Sequence, residues 1–329
     1  MAPTLKQIAR ETGLAISTVS RALNGHAHVD DETRRRVLET ADRLGYRPSA
    51  AGRALRGSAT RTVGVVLPDV QNHFYAVTVS VLQEQLEERG YGIVLAVTGN
   101  DPRRERDALD RLTSARVDGI VVVPSPIRTP PVPPGIPLVE LNRQSARKVD
   151  QVLYDEGDGI RGLVAHLVEN GHRDIAFIGG DPNLSTTRRR LLAYRAELAA
   201  SGIDGQPEHE QLGRYAPDWG ATALRTLMGL DPRPTAVVAA SSEITLGALQ
   251  DARRLGVRIP RDLSFVAFGD PDWYRVVDPP LTCYDQPIAQ TAGIAVQMLA
   301  DRMSGSDKSP TRIVVEGHLV LRDSVATAR

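Results

Sequence analysis

The stretch from Thr4 to Leu55 constrains the fold more than any other, because three apolar periodicities in it are each closed by a helix-breaking signal. Thr4 and Gln7 have the spacing of a capping box, so Thr4 can open a helix that turns Leu5, Ile8 and Ala9 inward before Gly13 stops it. A second helix fits Ile16 to Leu23, with Val19, Ala22 and Leu23 inward and Ile16, Ser17, Ser20 and Arg21 outward. Ala15 stands at its expected N-cap and supplies no capping oxygen, and Asn24-Gly25 ends it. Asp30 can cap a third helix, in which Val37, Leu38, Ala41 and Leu44 fall at helical spacing and Gly45 follows the C-cap. Two helices across a tight Gly-containing turn, backed by a third, match a helix-turn-helix unit. The outward face of the second helix is short and polar, as reading base edges in a major groove requires. On spacing alone, a small helical bundle with solvated charges fits equally well.

Charge separates these readings. Met1 to Arg61 holds 11 Lys/Arg against 6 Asp/Glu, while the rest of the chain holds 29 against 34, so a neutral total conceals a basic head. Double-stranded DNA is the partner that such a local excess favours. At 329 residues the chain exceeds one typical domain, so a head of about 60 residues and a larger body are expected. The single cysteine, Cys283, allows no internal disulfide and is read as a packed small side chain in a protein of the reducing cytoplasm. No export signal and no apolar run of membrane-spanning length is present. His26, His28, His166 and His172 do not have metal-ligand spacing and are read as surface or capping residues. Nucleotide-binding, metalloprotease and serine-hydrolase signatures are missing, so no cofactor, metal or catalytic residue is assigned.

The head resembles the LacI/GalR family of bacterial transcription regulators. T-V-S-R-A-L-N-G at Thr18 to Gly25, T-R-R-R-V at Thr33 to Val37, L-G-Y-R-P at Leu44 to Pro48 and A-G-R-A-L-R at Ala51 to Arg56 carry the resemblance. It implies that Ile16, Ser17 and Arg21 contact bases, and it extends the candidate DNA contacts to Thr4, Thr18, Ser20, Asn24, Ala51 and Leu55. It also implies a hinge helix over about residues 49–56 that pairs across a dimer axis and wedges Leu55 into the minor groove. An isolated helix this short, weakened by Gly52, would fold only against a partner.

From Thr62 onward, short β-branched runs alternate with longer amphipathic stretches, the pattern of parallel sheets covered by helices. Strands are expected at 63–67, 92–97, 119–123, 138–141, 175–179, 236–240, 264–268, 312–316 and 318–321. Helices are expected at 75–89, 103–115, 157–170, 188–201 and 288–303, with another between the strands at 236–240 and 264–268. Seven prolines between Val123 and Leu138 argue against a crossover helix there. The body, too, resembles the family, through P-D-V-Q-N-H-F-Y-A at Pro68 to Ala76, V-D-G-I-V-V at Val117 to Val122, G-H-R-D-I-A-F-I-G-G at Gly171 to Gly180 and D-P-P-L-T at Asp278 to Thr282.

The expected fold is therefore α/β: an all-α helix-turn-helix head at 1–60, then an effector-binding and dimerisation body at 61–329. The resemblance implies that this body has two parallel-sheet lobes like type I periplasmic binding proteins, joined by three crossovers, with ligand in the cleft between them. Matched positions make Phe74, Tyr75, Asn142, Thr186, Arg190, Tyr215, Asp270 and Trp273 the candidate effector contacts, with Arg190 taking the most polar or anionic group. Core packing would equally explain Phe74, Tyr75 and Tyr215. Three departures from the family stand out: Gly269 where many relatives carry an aspartate, Asn142 where an acid is frequent, and Ser241-Ser242 in place of Asn-Asp. Carboxylates suited to sugar hydroxyls are thus missing or displaced.

The resulting expectation is a homodimeric, cytoplasmic repressor, not an enzyme. It would bind a palindromic double-stranded operator under the control of a small metabolite such as a sugar or sugar derivative, with no membrane partner. A transport-type binding protein and a sugar-processing enzyme with a DNA-binding head are the rival readings.

Overall fold

A computed structural model describes residues 3–23, 29–46, 60–126, 131 and 134–328. The chain divides into two compact units, Met1–Thr60 and Arg61–Arg329. In the first, α1 (Leu5–Thr12), α2 (Ile16–Leu23) and α3 (Asp31–Arg43) enclose a core of Ile8, Ala9, Val19, Ala22, Val29, Val37 and Ala41. Thr4 caps α1 through the Gln7 amide, and Asp30 caps α3 through the Thr33 amide at 2.8 Å. After Leu44 the chain turns through Gly45 at φ 66°, so the Gly45 amide reaches the Asp42 carbonyl and the Tyr46 amide reaches that of Ala41. Those two bonds form the motif that closes a helix with a left-handed residue. Leu38, expected inside, is 48 % exposed. Thr40 is buried instead, with its hydroxyl returned to the Arg36 carbonyl at 2.8 Å.

The second unit contains two six-stranded sheets. The strands of the first lobe are β1 (Thr62–Leu67), β2 (Gly92–Val97), β3 (Gly119–Val122), β4 (Leu138–Leu141), β5 (Asp150–Tyr154) and β11 (Arg312–Val315), in the order β11-β5-β4-β3-β1-β2 and all parallel. The second lobe is built on β6 (Ile175–Gly179), β7 (Glu210–Leu212), β8 (Ala236–Ala239), β9 (Ser264–Phe268), β10 (Thr282–Asp285) and β12 (His318–Val320), in the order β12-β10-β9-β8-β6-β7. Only the β10–β12 pair is antiparallel among these. The helices of the body are α4 (His73–Glu87), α5 (Pro102–Ser114), α6 (Glu156–Glu169), α7 (Ser185–Ala200), α8 (Pro217–Met228), α9 (Ser242–Leu255) and α10 (Ile288–Met303).

Alternating strand residues supply a core on each face of each sheet. Val63, Val65, Val121 and Val139 meet α4 and α10 through Leu82, Leu86, Val296 and Leu299, while Val66, Ile120 and Val122 meet Ala108, Leu109 and Leu112 of α5. In the second lobe Ile175, Phe177, Val238 and Val266 face α6 and α7, and Ala176, Ile178, Val237 and Phe265 face α8 and α9. Burial on both faces is what parallel sheets require.

Strands β5, β7 and β10 and helix α8 were not anticipated, and α7 begins at Ser185 rather than Arg188. The described residues of the proline-rich stretch between β3 and β4 form no helix. His172 is buried, not a surface residue, with its ring nitrogens 2.9 Å from the Thr235 hydroxyl and 2.9 Å from the Ala326 carbonyl. None of the described helices is long and apolar enough to cross a membrane.

Three chain crossings join the lobes: β5 to α6, β10 to α10, and β11 to β12. All three meet around Tyr284. Its hydroxyl accepts the Gly317 amide at 2.7 Å, and its ring leaves no room for a Cβ on Gly159, which would sit 2.6 Å from it. The first and third crossings are bonded directly, Asp155 amide to Val315 carbonyl at 3.0 Å. A Cβ on Gly317 would lie 2.1 Å from the Asp285 carbonyl oxygen, so this crossing fits only as glycine.

Two outcomes follow. Gly317→Ala must displace backbone, and it is expected to destabilise the protein by roughly 1–3 kcal/mol in urea unfolding. In the head, the Thr18 amide lies 2.9 Å from the Ala15 carbonyl, which fixes Ala15 as the residue before the helix. Ala15→Ser is therefore expected to stabilise the head by roughly 1 kcal/mol, read from its thermal melt.

Candidate functional site

In the head, α2 buries Val19 and Ala22 and leaves Ile16, Ser17 and Arg21 exposed, Ile16 to 48 %. Thr18 and Ser20 are half-buried, and Thr4 is exposed at the start of α1. Exposing a large apolar residue such as Ile16 costs the free protein hydration free energy that burial against a partner would recover. Asn24, Ala51 and Leu55, with the expected hinge helix at 49–56, lie outside the described residues.

In the body, a cavity of about 330 Å³ lies between the lobes. Its walls come from residues just beyond strand C-termini: Pro68 and Asp69 after β1, Asn142 and Arg143 after β4, Ser241 after β8, Gly269 and Asp270 after β9, and Gln286 after β10. That placement is the general one for ligand sites in open parallel sheets. Helices α4, α7 and α9 begin at the same cavity, through Asn72 to Tyr75, Thr186, and Ser242. Of the residues expected there, Phe74, Tyr75, Asn142, Thr186, Arg190, Tyr215 and Asp270 line it. Trp273 is not among the lining residues: it stacks edge-on against Tyr274 with centroids 4.5 Å apart and packs on the core beneath α8 and α9.

Two of the expected ligand groups are already committed internally. The Arg190 guanidinium is buried, bonded to the Glu156 carboxylate and the Ala240 carbonyl, and lies 3.8 Å from the centre of the Phe268 ring. Burial works against its charge, but Glu156 outweighs that and raises its pKa. Asp270 accepts a two-pronged bond from Arg322, at 2.8 and 2.7 Å, and a third from Arg275 at 3.2 Å. Burial opposes its ionisation, yet these guanidinia hold its pKa below the usual carboxylate range.

Other groups are left open. Asn142 sits at φ 64°, and the Arg143 amide bonds back to the Leu141 carbonyl across it at 2.6 Å, a three-residue turn that is strained in this hand. The Asn142 amide nitrogen reaches the Tyr75 hydroxyl at 3.4 Å, while its Oδ1 is buried without a partner. Arg143 Nε and Gln286 Nε2, on the same walls, are also buried and unpartnered. Burial raises the Asp285 pKa, reinforced by Asp270. Unpaired polar atoms around a cavity are what a ligand would satisfy. Sequence reasoning missed Asn100, Arg143, Asp285 and Gln286, which the folded chain brings to the cavity from separate loops and strand ends.

A helix-turn-helix head with an exposed polar second helix, in one chain with a two-lobed body holding a ligand-sized cleft, defines a ligand-responsive DNA-binding regulator. Residues 4–49 match the bacterial regulatory proteins of the lacI family, and residues 164–325 match the periplasmic binding protein-like domain. The HTH-type transcriptional regulator CelR of Thermobifida fusca is 33 % identical, over 98 % of this chain and 98 % of its own length. A solved transcriptional regulator CelR–cellobiose complex shares 31 % identity and superposes with a TM-score of 0.74 over 98 % of this chain and 99 % of that one. The lac repressor dimer bound to operator and an anti-inducer shares the fold, with a TM-score of 0.86 at 23 % identity over 99 % and 100 % of the two chains. The chain belongs to the lacI family of bacterial regulatory proteins and is a transcription regulator.

Because Arg190 neutralises a buried carboxylate, its removal acts on stability as well as on any ligand. Arg190→Met alone is expected to cost roughly 3–5 kcal/mol in denaturant unfolding by stranding Glu156, and Glu156→Gln in the same chain to restore most of it.

Proposed function

We propose that this protein is a homodimeric repressor that binds a palindromic operator through α2 and the 49–56 segment, and that a small metabolite in the interlobe cleft sets its operator affinity. The exposed polar face of α2 on a basic head carries the DNA part of this reading. Ile16, Ser17 and Arg21 are the base-reading residues in it, with Thr4, Thr18, Ser20 and Asn24 positioning the head on the backbone and Ala51 and Leu55 acting in the minor groove. The cavity and its unpartnered Asn142, Arg143 and Gln286 atoms support the effector part. Phe74, Tyr75 and Tyr215 offer ring faces for the apolar side of a sugar or related ring.

Binding rather than catalysis fits this cleft. Asp270 is locked on two guanidinia and Arg190 on Glu156, so both are engaged within the fold and neither is free to act on a bound molecule. The CelR relative solved with cellobiose supports a sugar or sugar derivative as the class of effector. A chromosomal operator as partner puts the site of action in the cytoplasm.

Selection of operator sequences from random DNA by the full-length protein, followed by titration with candidate sugars, tests the reading. A two-fold symmetric site whose affinity changes with one ligand is the expected result, and binding without sequence preference would sink it. Arg21→Ala is expected to weaken the selected site by roughly 1–3 kcal/mol and to relax preference at one half-site position. Leu55→Ala should weaken operator binding while leaving nonspecific binding and ligand affinity nearly unchanged.

A further inference from the structure

The charges around the cleft do not balance. Arg143 is 3 % exposed, lines the cavity, and among the described residues has no carboxylate partner. Its Nη1 bonds to Asn100 Oδ1 at 2.5 Å, its guanidinium lies 5.8 Å from the centre of the Tyr75 ring, and its Nε has no partner. Its contacts are thus neutral, whereas buried charges are ordinarily paired. The lining carboxylates do not supply the missing charge. Asp270 is held by Arg322 and Arg275, no ion pair joins Asp285 to Arg143 among the described residues, and Asp69 and Asp272 are exposed at the mouth, where water screens them.

A second source of positive potential faces the same space. Helix α7, 16 residues long, begins without a side-chain cap, and its Thr186 lines the cavity. The Gln144 amide, directly after Arg143, bonds to Ser185 Oγ in the first turn of α7 at 3.0 Å, so Arg143 and this helix end flank one corner of the cavity. A buried unpaired guanidinium beside an uncapped helix N-terminus is an environment for an anion.

We infer that the effector carries a negatively charged group, a carboxylate or a phosphate, and that Arg143 is its counter-ion at the start of α7. This rests on the reading of the cleft as the effector site, and it moves the anion from Arg190, whose charge Glu156 already balances, to Arg143. Asn142 Oδ1 and Gln286 Nε2, one an acceptor and the other a donor, then serve hydroxyls on the same molecule.

The test uses full-length protein and its Arg143→Met and Arg143→Lys variants. Each is melted in sodium chloride and in inorganic phosphate at equal ionic strength and pH. Phosphate should raise the Tm of the parent protein above its value in chloride, Arg143→Met should lose that shift, and Arg143→Lys should keep part of it. No phosphate-specific shift in the parent, or an equal shift in Arg143→Met, overturns the assignment. Calorimetric titrations with glucose, glucuronate and glucose 6-phosphate then identify the anion. One of the charged sugars should bind about tenfold or more tightly than glucose, a preference that Arg143→Met abolishes. Preference for glucuronate alone assigns a carboxylate and for glucose 6-phosphate alone a phosphate, glucose binding as tightly as both contradicts the inference, and if none of the three binds the melt decides. Anion binding through Arg143 with no effect on operator affinity would leave this assignment standing and remove the regulatory reading of the cleft.

Discussion

The cleft depends on the place where three chain crossings meet around one phenol. Tyr284 precedes one crossing, accepts an amide from Gly317 in another, and covers Gly159 just after the third. Its ring also lies 5.3 Å from that of Phe268, which in turn packs against the Arg190 guanidinium. One side chain thus connects the pivot of the two lobes to the floor of the cavity. The close approaches at Gly159 and Gly317 bring the crossings together without interposed side chains.

Charge in the cleft is divided between what the fold consumes and what it leaves. Glu156 opens α6 directly after the first crossing, and Arg190 ties it to the end of β8 through the Ala240 carbonyl. Asp270 and Arg322 tie the end of β9 to the segment after β12, close to the buried thiol of Cys283, whose pKa burial pushes up. These pairs are costly to break and cheap to keep, because each partner is desolvated already. Polar atoms left over beside the cavity are therefore better indicators of ligand contact than the residues with the largest charges.

Periodicity exposed most of the architecture, and its failures have physical reasons. The head was legible because its caps are local: Asp30 and Thr33, Thr4 and Gln7, Leu44 and Gly45 are sequence neighbours. Strand β5 was not, since it opens with Asp150 and Gln151, whose burial is possible only through distant Arg302, Thr311 and Glu140. Strand β10 hid behind Thr282, bonded to Ser324 and Arg322 far along the chain. Leu38 misled in the opposite direction, because helical spacing cannot tell which of two neighbouring stripes faces a core of so few residues. Matched positions found seven cleft residues yet could not show that Arg190 and Asp270 were already paired, because Glu156 and Arg322 approach them only in the folded chain. Arg143 was passed over because nothing in a linear sequence marks a cation that lacks an acid.

The lobes also touch away from the pivot, and those contacts bear on how a ligand could act. At one rim the Gln144 amide meets Ser185 Oγ and its side chain accepts from Arg189, and at the other the His73 amide meets Glu243 at 3.3 Å. Two of these three bonds involve a charged group, so each contributes about 1–3 kcal/mol net against water. A ligand that bonds Asn142 and Arg143 from the first lobe together with Thr186 from the second would add interactions between the lobes. It can shift the lobes by no more than its difference in affinity for the closed and open forms. A buried guanidinium awaiting an opposite charge contributes to that difference to the extent that the anion pairs with it more strongly in the closed form, where its desolvation has been incurred before the ligand arrives.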